Sequence, residues 1–254
     1  MLIDTHLHLS SSDYDNIEEV ILRAKKNNVN YLIVSCCNMN DIREGIVILD
    51  KYDNIFLSIG LHPSEADSYS AEDIQYIGDV FSNNDKIVAI GEIGLDYYYG
   101  KDNKELQKEL FIKQLNLAQS LKVPVVIHTR DAVEDTINIL KSYNLKGVIH
   151  CFSGSLETAK QYINLGYKLG IGGVSTFKNS KLSLILKSIN LTDILLETDS
   201  PYLAPEPVRG TKNEPSNVKY VCHNLSVIKN TDYDLVADVT TQNAIDMFDL
   251  RRFL

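Results

Sequence analysis

Eight short runs of aliphatic and β-branched residues recur along the chain, most of them followed by a longer amphipathic stretch. This alternation restricts the fold to repeated βα units around a parallel sheet. The runs are LIDTHLH, VNYLIVSC, IFLSIG, KIVAIGEIG, VPVVIHT, KGVIHCF, YKLGIGG and ILLETDS. Between them, DNIEEVILRAKKNN, KELQKELFIKQLNLAQSLK and SLETAKQYINLG carry apolar residues at three and four spacing, as helices with one buried face do. Asn16, Ser155 and, before the last helix, Thr231 stand where N-caps belong, and Gly166 follows the last apolar turn of its helix. Two small domains would fit 254 residues, but no linker, repeat or low-complexity segment divides the chain, so residues 1–254 read as one domain. A doubly wound open sheet is disfavoured, because no G-x-G-x-x-G follows the first strand. The expected architecture is an α/β fold, a closed (β/α)8 TIM barrel, with its chemistry where the strands end and the βα loops begin.

Lys plus Arg number 25 against 34 Asp plus Glu, a formal charge of −9. That balance argues against a broad basic surface for nucleic acid. A phosphate-bearing substrate would need local positive charge, from bound metal or a few placed cations. The cysteines are Cys36, Cys37, Cys151 and Cys222, with no C-x-x-C pair, which points to reduced thiols and a cytoplasmic setting. The adjacent Cys36 and Cys37 read as small apolar residues at a strand end, with a redox or metal role as the alternative. No signal-peptide pattern opens the chain and no run approaches about eighteen apolar residues, so no membrane partner is expected. Nothing in the sequence calls for an obligate protein partner.

The polar residues at the strand ends form a set: His6 and His8 on the first strand, Glu92 after the fourth, His128 after the fifth, His150 after the sixth and Asp199 after the eighth. An isolated H-x-H fits the wet face of an edge strand as well as a metal site. In a barrel, however, carboxyl ends converge on one mouth, and imidazoles with carboxylates gathered there suit one or two divalent cations such as zinc, manganese or magnesium. Residues i and i+2 of a strand share a face, so His6 and His8 are expected to project inward together. Asp4 shares that face, either orienting a histidine or lying as a satisfied polar residue inside the barrel.

With these motifs in place, the chain resembles a known family. DTHLH, GLHPSEA, GEIGLDYY, VIHTRDA, HCFSG, LETDSPYLAP and RGTKNEPSNV look like the motifs of the TatD metal-dependent hydrolases, within the amidohydrolase superfamily. The resemblance implies a barrel with two divalent metals that hydrolyses DNA phosphodiester bonds through a metal-activated water. Carried over, it has His6, His8, Glu92 and Asp199 serving one metal, with Glu92 shared, and His128 and His150 completing the other. No lysine stands at a comparable strand end, which disfavours the carboxylated-lysine bridge of other amidohydrolases. Asp199 and Glu92 are the expected catalytic carboxylates, with Asp199 able to accept a proton from water.

His62, Arg130, Arg209 and Lys212 are candidate substrate contacts, each with an alternative as a loop residue or a solvated cation. The aromatic faces of DYYYG, Asp96 to Gly100, could stack an unpaired base or pack against neighbouring loops, and Asn213 and Glu214 could hold a loop over the site. The expected function is a deoxyribonuclease, with 3′ to 5′ removal of nucleotides from single-stranded DNA as its form. The alternatives are a hydrolase of a small amide, ester or lactone, and a barrel that binds metal without catalysis.

Overall fold

All eight expected strands form in the computed structural model, which describes residues 1–253. They are β1 (Leu2–Leu7), β2 (Val29–Cys36), β3 (Ile55–Ile59), β4 (Ile87–Asp96), β5 (Val125–Arg130), β6 (Gly147–Ile149), β7 (Tyr167–Ile171) and β8 (Ile194–Leu196). Each pairs in parallel with the next in chain order, giving an α/β barrel. Helices α1 (Ile17–Lys26), α2 (Met39–Leu49), α3 (Ala71–Ser82), α4 (Lys104–Leu121), α5 (Val133–Leu140), α6 (Leu156–Asn164) and α7 (Leu182–Ser188) fill the crossovers. After β8 a long segment leads to two helices, α8 (Val218–Lys229) and α9 (Tyr233–Met247). Among the described residues, no helix is long and apolar enough to cross a membrane.

Capping follows the sequence at three of four positions. Asn16 and Ser155 accept the backbone N–H of Glu19 and Thr158, and Gly166 closes α6 at φ +91°. Thr231 is the exception: Asp232 holds the N-cap position of α9, with no side-chain cap bond. Thr231 is committed to the helix before. Asn230 turns left-handed at φ +50°, and the Thr231 N–H donates to the Ser226 carbonyl at 3.1 Å, closing α8.

The barrel closes at a seam rather than by a regular ladder between β8 and β1. A single bridge joins Leu7 to Ser200, flanked by Asp199 N–H to the His6 carbonyl at 2.9 Å and His8 N–H to the Ser200 carbonyl at 2.7 Å. The Thr5 hydroxyl adds a bond to the Leu196 carbonyl at 3.0 Å. Because β8 is short, this irregular backbone carries the chain past the strand and into the mouth.

One apolar cluster draws residues from seven strands, namely Ile3, Ile33, Phe56, Val88, Ala89, Val126, Val148 and Leu195, together with Ala244, Ile245, Phe248 and Leu250 from the C-terminal segment. Only the barrel lumen is shared by so many strands, so this cluster fills its lower end, plugged by α9 and the turn after it. A larger cluster packs the outer strand faces against the helices. Two residues above the lumen layer stand Ser35, His128, His150 and Glu197, with Cys37 and Asp199 two residues further, while Glu92 reaches the same level at the register shift of β4. The apolar plug therefore forms the floor of a polar mouth.

Candidate metal centre

Glu92 stands at the middle of that mouth. Its Oε2 lies 3.4 Å from His6 Nε2, while its Oε1 lies 2.8 Å from His128 Nδ1 and 3.2 Å from His150 Nε2. Asp199 Oδ1 faces His6 Nε2 at 3.7 Å and His8 Nε2 at 3.5 Å. All six residues expected as ligands thus come together. Three sets of donor atoms, His6–His8–Glu92, Glu92–His128–His150 and His6–His150–Asp199, each fall within 4.8 Å of one another. Glu92 is not at a strand end as expected. β4 continues to Asp96, because its ladder with β5 runs through Gly94 to His128 and Asp96 to Arg130 after a register shift.

The residues fit a divalent cation. His6 Nε2 is buried and has no hydrogen-bond partner although it points between two carboxylates, and an imidazole nitrogen so placed suits the role of a metal donor. Burial pushes the Glu92 carboxyl up, but the surrounding His150, His128 and His6 rings outweigh it and hold the group well below the usual carboxylate range. Burial also works against charge on His150, yet Glu92 and Glu197 raise it well above the ordinary histidine value. His6, stacked on His150 at 3.8 Å between ring centres, is driven the other way by burial and by that neighbour.

A fourth donor set, His62, Asp96 and His128, has a different chemistry. His128 turns Nδ1 to Glu92 and Nε2 to Asp96 Oδ2 at 3.0 Å. If Nδ1 were to hold a metal, Nε2 would keep its proton and donate it to Asp96, and the carboxylate would orient the ring rather than join a third centre. The Tyr98 and Tyr99 amides hold Asp96 Oδ1 at 2.9 Å each. His128 and these amides outweigh burial and bring its pKa down to about 2. Gln107 on α4 clamps the Asp96 backbone by accepting from its N–H at 2.8 Å and donating to its carbonyl at 2.9 Å.

Glu197 stands behind His150. It is fully buried, with Oε1 3.3 Å from His150 Nδ1 and accepting the Cys151 N–H at 2.6 Å. Neither Asp96 nor Glu197 was among the expected site residues, although both sit at even steps from one, Glu92 and Asp199 respectively. Asp4 does not touch an imidazole nitrogen. It binds Thr198 across the seam, with Oδ1 accepting the backbone N–H at 2.9 Å and Oδ2 the hydroxyl at 2.6 Å. Asn213, completely buried, donates to the carbonyls of Thr198 and Tyr202 and so holds the loop that carries Asp199, whereas Glu214 pairs with Arg23.

A cavity of about 660 Å³ opens over these groups, walled by His62, Arg130 and Tyr99 on one side and by Asp13, Asp41 and Glu44 on another. His62 Nδ1 accepts the Ser64 N–H at 3.1 Å, which leaves the ring proton on Nε2, facing Glu92 at 4.0 Å. Burial lowers its pKa to about 4, so the ring is a neutral donor. Gln114 fixes this loop through both the N–H and the carbonyl of Leu61. The Arg130 guanidinium lies over the Tyr98 ring at 4.0 Å and the Tyr99 ring at 4.9 Å. Arg209 and Lys212 do not line the cavity. Arg209 stacks on Phe177 at 4.0 Å, and Lys212 donates to the Asp13 carbonyl at 2.6 Å.

A parallel eight-stranded barrel with a mouth of imidazoles and a shared carboxylate defines a metal-dependent hydrolase. The model of the TatD related DNase family matches residues 3–249, and the chain belongs to that family. It is 41% identical over 253 residues to the uncharacterized metal-dependent hydrolase YabD of Bacillus subtilis, covering 98% of this chain and 99% of that one. It is 32% identical over 267 residues to the human deoxyribonuclease TATDN3, covering 100% and 96%. The crystal structure of YJJV, a TatD homolog from Escherichia coli, superposes with a TM-score of 0.91 at 29% identity, covering 98% of each chain.

Proposed function

We propose that this protein is a divalent-metal-dependent deoxyribonuclease that removes nucleotides from the 3′ end of single-stranded DNA in the cytoplasm. The observation that carries the reading is the Glu92 carboxylate, with one oxygen turned to His6 and the other to His128 and His150, the posture of a bridge between two cations. In this reading His6, His8 and Asp199 complete one position and His128 and His150 the other. The donors suit magnesium, manganese or zinc. Bound there, such cations supply Lewis acidity, lowering the pKa of water and neutralising charge on phosphoryl oxygens.

The chain's own residues do the rest. Asp199, held by Asn213 and by the seam, takes the proton of the attacking water on its carboxylate. His62, neutral and with Nδ1 held by the Ser64 N–H, donates a hydrogen bond from its Nε2–H to a phosphoryl oxygen. Arg130 reaches the neighbouring phosphate, and the exposed rings of Tyr98 and Tyr99 offer an unpaired base a stacking face. The acidic wall of Asp13, Asp41 and Glu44 repels a continuing phosphate chain, which leaves room on that side for a terminal nucleoside alone.

The test is a time course on end-labelled single-stranded DNA with magnesium or manganese, run beside the Asp199→Asn protein and a chelated control. Stepwise shortening from the 3′ end in metal-loaded wild type alone is the expected result. Intact DNA beside confirmed metal would remove the nuclease and turn attention to small amides, esters and lactones.

A further inference from the structure

We propose that Asp96 and Glu197 are positioning residues dedicated to one of the two metal positions, the one formed by His128, His150 and Glu92. This rests on reading the mouth as a two-cation centre, and not on DNA being the substrate. Each histidine of that position turns one nitrogen to Glu92 and the opposite nitrogen to a buried carboxylate. His128 Nε2 makes a hydrogen bond with Asp96 Oδ2 at 3.0 Å, and His150 Nδ1, which has no hydrogen-bond partner, lies 3.3 Å from Glu197 Oε1. His6 and His8 lack this. Among the described residues no carboxylate pairs with the Nδ1 of either, and His8 Nδ1 faces the Cys37 sulfur at 3.9 Å.

The burial of Glu197 shows that the arrangement is built. A carboxylate with no exposed surface is expensive to keep unless a cation or its ligand answers it, and Glu197 has no Lys or Arg partner. Its Oε2 has no hydrogen-bond partner at all. The fold makes room for it nonetheless: at Gly170 on β7 an added Cβ would fall 2.2 Å from Oε2. Cys151, at φ +48°, turns its amide onto Oε1. Charge on these two carboxylates raises the basicity of the ring nitrogen that faces the metal and fixes the tautomer that presents it.

Three variants test this: Asp96→Asn, Glu197→Gln and Gly170→Ala, the last displacing the Glu197 carboxylate without altering charge. Thermal melting of each metal-free protein establishes that it folds, and Asp96→Asn carries the test if changes inside the barrel do not fold. Manganese is titrated against a competing chelator, and the paramagnetic resonance spectrum reports whether two ions are coupled or one stands alone. Wild type should bind two coupled ions. Each variant should bind one ion as wild type does and the other about 10- to 100-fold more weakly. At limiting manganese the spectrum should become that of an isolated ion, abolished by adding His6→Ala. Equal weakening of both ions, loss of the His6-dependent ion instead, or unchanged binding of two would overturn the assignment. Wild type that binds no pair would overturn the two-cation reading itself. Two ions with the expected pattern, but no DNA cleavage, would remove only the nuclease.

Discussion

Asp4 on the first strand and Thr198, 194 residues later, are joined by two hydrogen bonds in a fully buried setting, at 2.9 Å through the backbone N–H and 2.6 Å through the hydroxyl. They stitch the barrel where no ladder does, and they sit immediately below His6 and Asp199. Thr198→Val keeps the shape and removes the hydroxyl donor from a buried carboxylate. Burial pushes the Asp4 carboxyl well above the usual carboxylate range, and leaving one buried partner of such a hydrogen bond unsatisfied costs about 1–3 kcal/mol. The variant should lose that much in urea unfolding, and an unchanged midpoint would show that the seam does not depend on this bond.

Phe248 is 2% exposed and belongs to the plug at the opposite end of the lumen. Phe248→Ala should cost about 3–5 kcal/mol, the range for emptying a buried aromatic site. The folded fraction should bind metal as wild type does, because the plug lies below the polar layer. Metal content measured on the folded fraction separates the two ends: a parallel loss of metal would mean that floor and mouth are mechanically coupled.

Asp199→Asn preserves volume and the backbone bond to His6 but removes the proton acceptor. If Asp199 is the base, turnover should fall by about 10²–10⁴-fold, the usual contribution of such a group. Denaturant midpoints should move far less, since the left-handed backbone at φ +54° suits asparagine as well as aspartate. Turnover at the wild-type rate would end the assignment.

Much of this site was readable as a two-residue period. From β2 to β8 the alternation that places Ile33, Val126, Val148 and Leu195 in the lumen also places Cys37, His128, His150 and Asp199 at its mouth. Two features escaped that reading. The run KIVAIGEIG, with Glu92 placed after it, does not show that pairing with β5 carries the strand four residues beyond Glu92, to Asp96. In β1 the parity itself changes: Ile3 joins the lumen layer, yet His6 reaches the site, because the register with β2 shifts twice. The carboxylates behind the histidines were hidden for another reason. Asp96 lies 32 residues from His128, and Glu197 lies 46 residues from Cys151, whose amide fixes it, so their roles depend on distances that only the closed barrel sets.

His62 supplies a neutral donor, with Nδ1 tied to Ser64. His62→Ala should lower kcat/KM for DNA by roughly 10-fold or more, the scale of one lost hydrogen bond to a charged oxygen. Both manganese ions should remain, as the ring proton on Nε2 excludes it from the ligand set. Loss of an ion in this variant would move His62 into the metal centre.

Arg130 is the one cation among the four candidate substrate contacts that lines the cavity. Its guanidinium already lies over Tyr98 and Tyr99, so binding a phosphate requires only that it swing from ring faces that a base would then occupy. Arg130→Ala should raise the apparent Michaelis constant for DNA and leave bound metal intact. In the Asp199→Asn background, where binding is seen without turnover, the slope of log affinity against log salt should shrink by about 0.7, the share of one phosphate contact on a single strand. Arg209→Ala should leave that slope unchanged, because its side chain is engaged on Phe177 outside the mouth. If instead Arg209 carries the salt dependence and Arg130 does not, the strand leaves the site across the loop after β8, and the Tyr98–Tyr99 ledge is not its path.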